Sequence, residues 1–274
     1  MNAVTHPLPV LDAERKRGMP RARLIRAYLI DTKYEFIRML RNLTFLIPIL
    51  VIPPVMYLLF GVGFINSFEE GSFGDFPRED ILKMMFVNFS VFSILGPSMV
   101  SLGTLLAQER EMGLLTFKRA LPMPSLAPLL AKSLFMMLVI FTLLLLLTLE
   151  GVLFAKLDFT VAQYAGIWLV CVLGTLPFAA IGLYMGASLS AAAASGAVTG
   201  VYMTMAMVGG LLFPLPPGFT WVALFSPAFY LSQLGFSAAG MNTLFDPILP
   251  IALLLSVTLV FTRLAMRRIR RQLS

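Results

Sequence analysis

Charged residues, cysteine and histidine are all scarce in this sequence. Asp, Glu, Lys and Arg make up 13% of its 274 residues, about half the share of roughly 25% that soluble proteins carry. The single cysteine is Cys171 and the single histidine is His6. An intrachain disulfide, a metal site built from Cys and His, and a cysteine nucleophile are therefore excluded. We find no candidate catalytic residue and no candidate metal ligand in the chain.

Acidic side chains are also missing from the apolar part of the sequence. No charged residue occurs from Phe159 through Phe245, and we expect the interiors of the other membrane spans to be equally free of acids. Proton- and ion-coupled carriers usually place Asp, Glu or His inside the bilayer. Only Thr and Ser side chains, Asn88 and Gln163 could serve instead. An ion-driven carrier or channel is therefore disfavoured, and a membrane-embedded enzyme lacks a catalytic group.

A nucleotide-binding signature is absent as well. The sequence contains no GxxxxGK[ST] motif and no Gly-Lys pair, the elements of a phosphate-binding loop. If the protein moves a molecule against a gradient, the energy must come from another subunit. We therefore expect no cofactor on this chain.

Long hydrophobic runs dominate the sequence. Hydrophobic residues make up 58% of the chain, and the mean hydropathy is +0.87. A membrane-spanning helix needs about 20 mostly apolar residues, and six runs meet this requirement. They cover residues 43–63, 84–107, 127–149, 162–186, 195–213 and 247–264. The sequence therefore predicts an all-α membrane protein with a six-span domain over residues 43–264.

The basic residues predict the orientation of these spans. Of the 21 Lys and Arg residues, 18 flank spans at ends that lie on the side of the N-terminus, and only Arg78, Lys83 and Lys156 lie on the other side. Because basic residues are retained in the cytoplasm, both termini are predicted to be cytoplasmic. The net charge of +7 is thereby explained by topology, and nucleic-acid binding is not expected.

The ends of the chain carry most of this basic charge. Residues 1–20 read as a disordered cytoplasmic tail, and residues 265–274 as a basic cytoplasmic tail. Between residues 21 and 42, apolar residues recur at helical spacing among Arg and Lys. That pattern is typical of an interfacial helix lying on anionic lipid.

An uncharged segment at residues 218–240 is long enough to be a seventh span. A seventh crossing would put the basic C-terminus outside, against the positive-inside bias. Two alternatives remain: a broken helix that enters from the outer face and returns, or an amphipathic helix resting on the outer surface. The broken helix is suggested by the prolines before the segment and within it, Pro214, Pro216, Pro217 and Pro227. The surface helix would use Trp221 and Tyr230 as interfacial anchors.

Glycines four residues apart occur in the fourth and fifth spans. Gly182 and Gly186 lie in one, and Gly196 and Gly200 in the other. Small residues at this spacing let helix backbones approach closely. We therefore predict that spans four and five form a tight hairpin, with a role in a substrate path as the alternative.

The stretch QEREMGLLTFKRALPMP at residues 108–124 is a short charged segment between two strongly apolar spans. Residues 109–119 predict a helix of about 16 Å, too short to cross a bilayer. Glu109 and Glu111 would lie in its first turn. Lys118 and Arg119 would lie in its last turn, and both placements complement the helix dipole. Pro122 and Pro124 would end it. The alternatives are a helix that contacts a soluble partner and a plain loop whose charges fix topology.

This order of features resembles the ABC-2-type permeases, the membrane subunits of ATP-binding-cassette exporters. The resemblance covers the chain from about residue 21, and its strongest piece is Glu-Arg-Glu, Gly-Leu-Leu and a Leu-Pro eight residues after Gly113. Pro227 followed by Tyr230 is the second piece. The chain departs from the family in LSQLGFSAAG, which has no arginine, and this leaves the substrate class open.

The resemblance implies an exporter subunit in a bacterial cytoplasmic membrane. ATP and Mg²⁺ would be used by a separate ATPase, and a second permease copy or a sister permease would complete the pathway. The coupling helix that contacts the ATPase would contain Glu109, Arg110, Glu111, Gly113, Leu114, Phe117, Arg119 and Pro122. The segment from Pro214 to residue 240 would correspond to the re-entrant helices near the pathway exit. A lipid, a polysaccharide or a hydrophobic drug would be the substrate.

Overall fold

The computed structural model describes residues 43–67, 77–113, 127–213, 218 and 220–271, together with seven residues between 29 and 41. Within this part of the chain all regular structure is helical. Six helices are long and apolar enough to cross a membrane. The all-α class and the number of spans are therefore confirmed.

The helices follow one another in a simple order. They are α1 (Leu43–Met56), a π-helix (Tyr57–Gly63), α2 (Phe64–Asn66), α3 (Arg78–Glu111), α4 (Ala127–Leu153), α5 (Val161–Ser188), α6 (Ala191–Val208), α7 (Thr220–Ala223), α8 (Pro227–Ala238) and α9 (Ile248–Arg271). The first span consists of α1, the π-helix and α2, and α7 and α8 are too short to cross a bilayer.

The first span changes its helical geometry part-way along. Pro48, Pro53 and Pro54 lie inside α1, and each removes a backbone donor from the helical ladder. In the following π-helix the wider turn is visible at its end, where the Phe64 N–H donates to the Leu59 carbonyl five residues earlier. Single π-turns in α-helices often mark functional sites.

The second span, α3, is the centre of the bundle. In its most apolar 18-residue window 78% of the residues are buried, against 17% for the corresponding windows of α6 and α9. Phe86, Phe89, Ile94, Leu95 and Met99 are among its completely buried side chains. The outward faces of α6 and α9 are therefore available to lipid or to another chain.

The tightest helix contact joins α3 to α5. A Cβ added at Gly182 would lie 2.4 Å from the Met99 carbonyl oxygen, and one at Gly186 would lie 2.3 Å from the Gly103 carbonyl oxygen. Gly103 itself is close to the Gly182 backbone. Only hydrogen fits at these positions, so the two backbones are in direct contact.

This contact corrects the predicted packing of the glycines. Gly182 and Gly186 pack on span two, and Gly196 and Gly200 have no atom within 4 Å of the Cβ position. The tight hairpin between spans four and five is therefore wrong. The small-residue spacing was recognised correctly, but spacing along one helix does not identify which neighbour it contacts.

The bundle has two ends, which we name after the limits of α3. At the Arg78 end, Lys83 pairs with Asp158, and Gln163 donates to the Ala239 carbonyl. At the Glu111 end, Arg110 and Glu111 contact the turn between α5 and α6. The positive-inside pattern predicts that the Arg78 end faces outward and the Glu111 end faces the cytoplasm.

Several span limits differ from the predicted ones. Helix α3 begins at Arg78, so Arg78 and Lys83, which precede the predicted second span, lie in its first turns, and Glu79 and Asp80 are favourably placed at its N-terminus. Helix α6 ends at Val208 because Gly209 and Gly210 follow, the latter with φ of 68°. Hydropathy alone does not mark these limits, since helices extend beyond their apolar stretch.

The predicted interfacial helix at residues 21–42 lies mostly outside the described residues. The seven residues described between 29 and 41 are helical. Leu29, Ile30, Tyr34 and Leu40 among them are exposed. The tails at residues 1–20 and 272–274 are outside the described part of the chain, and the predicted basic C-terminal segment begins within α9.

Candidate functional site

Arg110 joins the end of span two to the end of span four. Its guanidinium donates hydrogen bonds to the carbonyls of Ala187 and Leu189, which lie where α5 ends. The last carbonyls of a helix have no partner within the helix and carry partial negative charge. A forked cation that reaches two of them is well suited to this position, because Arg can donate in two directions at once.

Glu111 makes the complementary contact on the next helix. Its Oε1 accepts a hydrogen bond of 2.7 Å from the Ala191 N–H, at the first position of α6. Ser190 caps the same helix by accepting from the Ala193 N–H. Because helix N-termini attract negative charge, the two neighbouring residues Arg110 and Glu111 bind opposite helix ends. We call this arrangement the Glu-Arg-Glu clasp; its third member, Glu109, is buried.

The clasp corrects the predicted coupling helix. Residues Glu109 to Glu111 form the last turn of α3, so no new helix begins at Glu109, and the two acids are not in a first turn. Gly113 has φ of 69°, and its N–H donates to the Arg110 carbonyl. A left-handed glycine directly after a helix is a common helix stop. The helix therefore stops before Gly113, within the residues that were predicted to form the coupling helix.

The rest of the predicted coupling segment lies outside the described residues. This applies to Leu114, Phe117, Arg119, Pro122 and Pro124. Contact between this segment and an ATPase stays a prediction. The described part shows that the segment leaves α3 at the same place where the clasp holds the turn between spans four and five.

The uncharged segment at residues 218–240 is a broken helix. Helix α7 ends at Ala223, a turn follows, and α8 begins with Pro227 at its first position, where proline is favoured. The Tyr230 hydroxyl donates to the Leu224 carbonyl across the break. Trp221 is 62% exposed, whereas Pro214 and Pro217 lie outside the described residues.

The position of α8 favours the re-entrant alternative for this segment. Ser226, just before α8, donates to the Met205 carbonyl inside span five, and the Gln163 side chain donates to the Ala239 carbonyl after α8. Helix α8 therefore rises from inside the bundle to the Arg78 end. Leu231 and Gln233 are buried, which a helix resting on the outer surface would not require. Re-entry into a membrane remains a prediction.

The two uncharged polar residues that could have served an ion pathway have structural roles. Asn88 donates to the Gly210 carbonyl at 3.4 Å, beside the end of α6. Gln163 completes a capping box with Thr160 at the start of α5 and also contacts Ala239. Both side chains therefore contact backbone groups near the broken helix.

The comparison with known proteins identifies the family. The family model described as ABC-2 type transporter matches residues 26–238, which include the clasp, the glycine contact and the broken helix. The chain belongs to the ABC-2 type transporter family. It is also 26% identical over 183 residues to a Bacillus subtilis (strain 168) protein named "Putative transport permease YvfS", covering 66% of this chain and 71% of that protein. The resemblance noted from the sequence is thus confirmed, and the chain is a transport permease.

The permease has a charged cluster at its Arg78 end. Lys83 Nζ lies 2.7 Å from Asp158 Oδ1 and also pairs with Glu79 one turn earlier in α3. The hydrogen bond from Lys83 lowers the pKa of Asp158 below its usual range. Asp158 therefore stays ionised at neutral pH, and the pair is lost only as the pH falls through that lowered pKa. The cluster ties the loop between α4 and α5 to α3.

Sequence reasoning missed Glu150. The third span was predicted to end at residue 149, but α4 continues to Leu153, so this acid lies within a helix of membrane-spanning length. The predicted end of the third span is therefore too early, and Glu150 lies in the last turn of α4. Glu150 Oε2 and the hydroxyls of Tyr57 and Tyr164 are buried without a hydrogen-bond partner among the described residues. An acid next to a predicted span limit is the signal that could have revealed it.

Proposed function

We propose that this permease is the membrane subunit of an ATP-binding-cassette exporter that is driven by a separate ATPase chain. Family membership supports a transport role, and the absence of a phosphate-binding loop from the sequence agrees with an external ATPase. The observation that carries the proposal is the clasp. It connects the segment predicted to contact the ATPase with three spans at one end of the bundle.

The clasp suggests how the chain would transmit a movement. A partner that displaces residues 114–126 would pull on the end of α3, and Arg110 and Glu111 would carry this displacement to α5 and α6. Because α3 and α5 are in backbone contact near Gly103 and Gly186, they would move as one body. The broken helix packs on α3 and α5 and would follow them at the Arg78 end, where we place the exit.

The partners and the substrate follow from the same proposal. The ATPase would bind ATP and Mg²⁺, and this chain would bind neither. A second permease copy or a sister permease would pack on an outward face to complete the pathway, with membrane lipids around the rest. A lipid, a polysaccharide or a hydrophobic drug is the proposed substrate.

Co-purification tests the partnership. A tagged permease extracted from its native membrane in mild detergent should retain a protein with a Walker A motif, detected by mass spectrometry. A Phe117→Glu variant, altered in the segment predicted to contact the ATPase, should lose that protein. The matched Leu244→Glu variant alters an exposed side chain at the Arg78 end and should retain it. An ATPase absent from the wild-type preparation, or retained equally by both variants, would contradict the proposal.

Cysteine labelling tests the proposed location in a bacterial cytoplasmic membrane with both termini inside. In a Cys171→Ala background, Lys156→Cys lies in the exposed loop before α5 and Ser190→Cys in the exposed turn after it. We expect a membrane-impermeant maleimide to label residue 156 in intact cells, and residue 190 only after the membrane is opened. The reverse pattern would invert the predicted orientation.

Glu150 is the observation that favours the alternative, an ion-coupled carrier without an ATPase. An acid with one buried, unpartnered oxygen atom is a common feature of proton pathways. The alternative predicts that Glu150→Gln abolishes transport that persists without ATP. Transport that requires ATP and survives this substitution would exclude the ion-coupled carrier.

A further inference from the structure

A cavity at the Arg78 end has the properties of a ligand-binding site. Its volume is about 850 Å³, within the range of roughly 300–1,000 Å³ that is usual for ligand sites. Its walls come from the end of span one, the start of α3, the loop before α5 and the turns after α6 and α8. It therefore lies beside the broken helix, where the proposed exit is.

The wall of this cavity is largely aromatic and apolar. Phe60 and Phe213 meet edge to face at 6.0 Å, and Phe64, Met84 and Met241 extend the same surface. The π-helix places Phe60 here, and the turn at Gly240, with φ of 74°, places Met241 opposite. Such a surface removes an apolar ligand from water, at a gain of about 25 cal/mol per Å² buried.

The charges at the cavity favour a cation. Asp80 and Asp158 line it together with one base, Lys83. Lys83 is already engaged by Asp158 and Glu79, and among the described residues no basic side chain pairs with Asp80. An anion would therefore approach two carboxylates without a free basic partner, whereas a cation would find an available carboxylate.

One cationic side chain of the cavity wall already lies over an aromatic ring. Lys83 Nζ lies 5.9 Å from the centroid of the Phe159 ring, which is part of the cavity wall. This distance is within the range of cation–π attraction. A ligand cation could make the same contact with Phe60, Phe64 or Phe213.

We infer that this cavity binds hydrophobic organic cations, that is, molecules with a bulky apolar body and one positive charge. Asp80 attracts the charge, and the aromatic wall buries the body. Asn242 lies at the exposed margin of the cavity. The inference rests on the proposed function only in that it makes such cations transported ligands; binding itself is a property of the permease alone.

Protection from labelling tests the inference on the full-length permease in lipid nanodiscs, without the ATPase. Tetraphenylphosphonium is the cationic probe, and tetraphenylborate is an anion of nearly the same shape. With Asn242→Cys as the reporter in a Cys171→Ala background, we expect the cation to abolish maleimide labelling and the anion to leave it unchanged. The control reporter Leu244→Cys is exposed but outside the cavity wall, and neither ion should affect it.

Asp80→Asn tests the role of the carboxylate. The cation concentration that halves maleimide labelling should then rise about fivefold. This is the effect expected from the loss of one partly exposed charge pair. Asp246→Asn removes the same charge outside the cavity and should have no effect. Equal protection by both ions, protection by neither, or an unchanged half-protection concentration in Asp80→Asn would each overturn the inference. Because no ATPase is present, such a result leaves the proposed function intact, whereas cation protection without ATPase co-purification would contradict the proposed function alone.

Discussion

Replacing Gly186 by alanine is expected to prevent the permease from reaching its native bundle. The new methyl group would lie 2.3 Å from the Gly103 carbonyl oxygen, a distance that real Cβ atoms do not adopt. Both partners are helix backbones, so no side chain can rotate away and α3 and α5 must separate. Overpacking typically costs about 1–3 kcal/mol, and a clash between two backbones in the centre of the bundle belongs at or above the upper end.

The matched control for this variant is Gly196→Ala. Gly196 also lies in a spanning helix at the same four-residue spacing, but nothing lies within 4 Å of its Cβ position. Alanine is favoured over glycine in a helix by roughly 0.5–1 kcal/mol, so this variant should be neutral or slightly stabilised. Size-exclusion chromatography would measure both the amount of monodisperse protein after detergent extraction and the melting temperature of that protein. Equal behaviour of the two variants would contradict the α3–α5 contact.

The glycines also show how far the sequence predicts the fold. Apolar run lengths predicted six spans and the all-α class, because a bilayer requires about 20 apolar residues per helix whatever the neighbours are. The same sequence did not predict which helices touch. Gly182 and Gly196 have equivalent patterns along their helices, and only the three-dimensional arrangement distinguishes the buried pair from the open one.

The candidate site was predicted only in part, and the reason is similar. The Glu-Arg-Glu motif was recognised as unusual from its charge and its position after span two. Its contacts were not predictable, because the partners of Arg110 and Glu111 are backbone groups near residues 187–191 that carry no sequence signal. The broken helix was anticipated from Pro227 because proline restricts the backbone locally. Glu150 was missed because the end of a helix cannot be read from hydropathy to within a few residues.

Replacing Arg110 by glutamine is expected to uncouple the permease while leaving it inserted. The variant loses a charged donor to two helix-end carbonyls, and hydrogen bonds of this kind contribute about 1.5–3 kcal/mol each. The contacts between α3 and α5 in the membrane remain, so abundance should stay near that of the wild type. Transport, and the stimulation of ATP hydrolysis by substrate, should fall by more than about tenfold, the effect of 1.4 kcal/mol or more. Arg110→Lys should restore little transport, because the lysine ammonium group cannot reach both carbonyls as the forked guanidinium does.

The same loss of transport could arise if the charges of the clasp contacted the ATPase directly, and Glu111 allows the two explanations to be separated. Its partner is the Ala191 N–H at the first position of α6. Ala191→Pro removes that donor without breaking the helix, because proline is favoured at this position. The preceding Ser190 already has the extended backbone, with φ of −67° and ψ of 158°, that a following proline requires.

A double-mutant cycle therefore decides what Glu111 does. If its carboxylate acts by holding the start of α6, Glu111→Gln should reduce substrate-stimulated ATP hydrolysis in the wild type and have no further effect in the Ala191→Pro background. If instead the carboxylate contacts the ATPase, Glu111→Gln should cause the same loss in both backgrounds. The first outcome would make the Glu-Arg-Glu clasp an internal link between spans two, four and five. It would also confine recognition of the ATPase to the residues that follow Gly113.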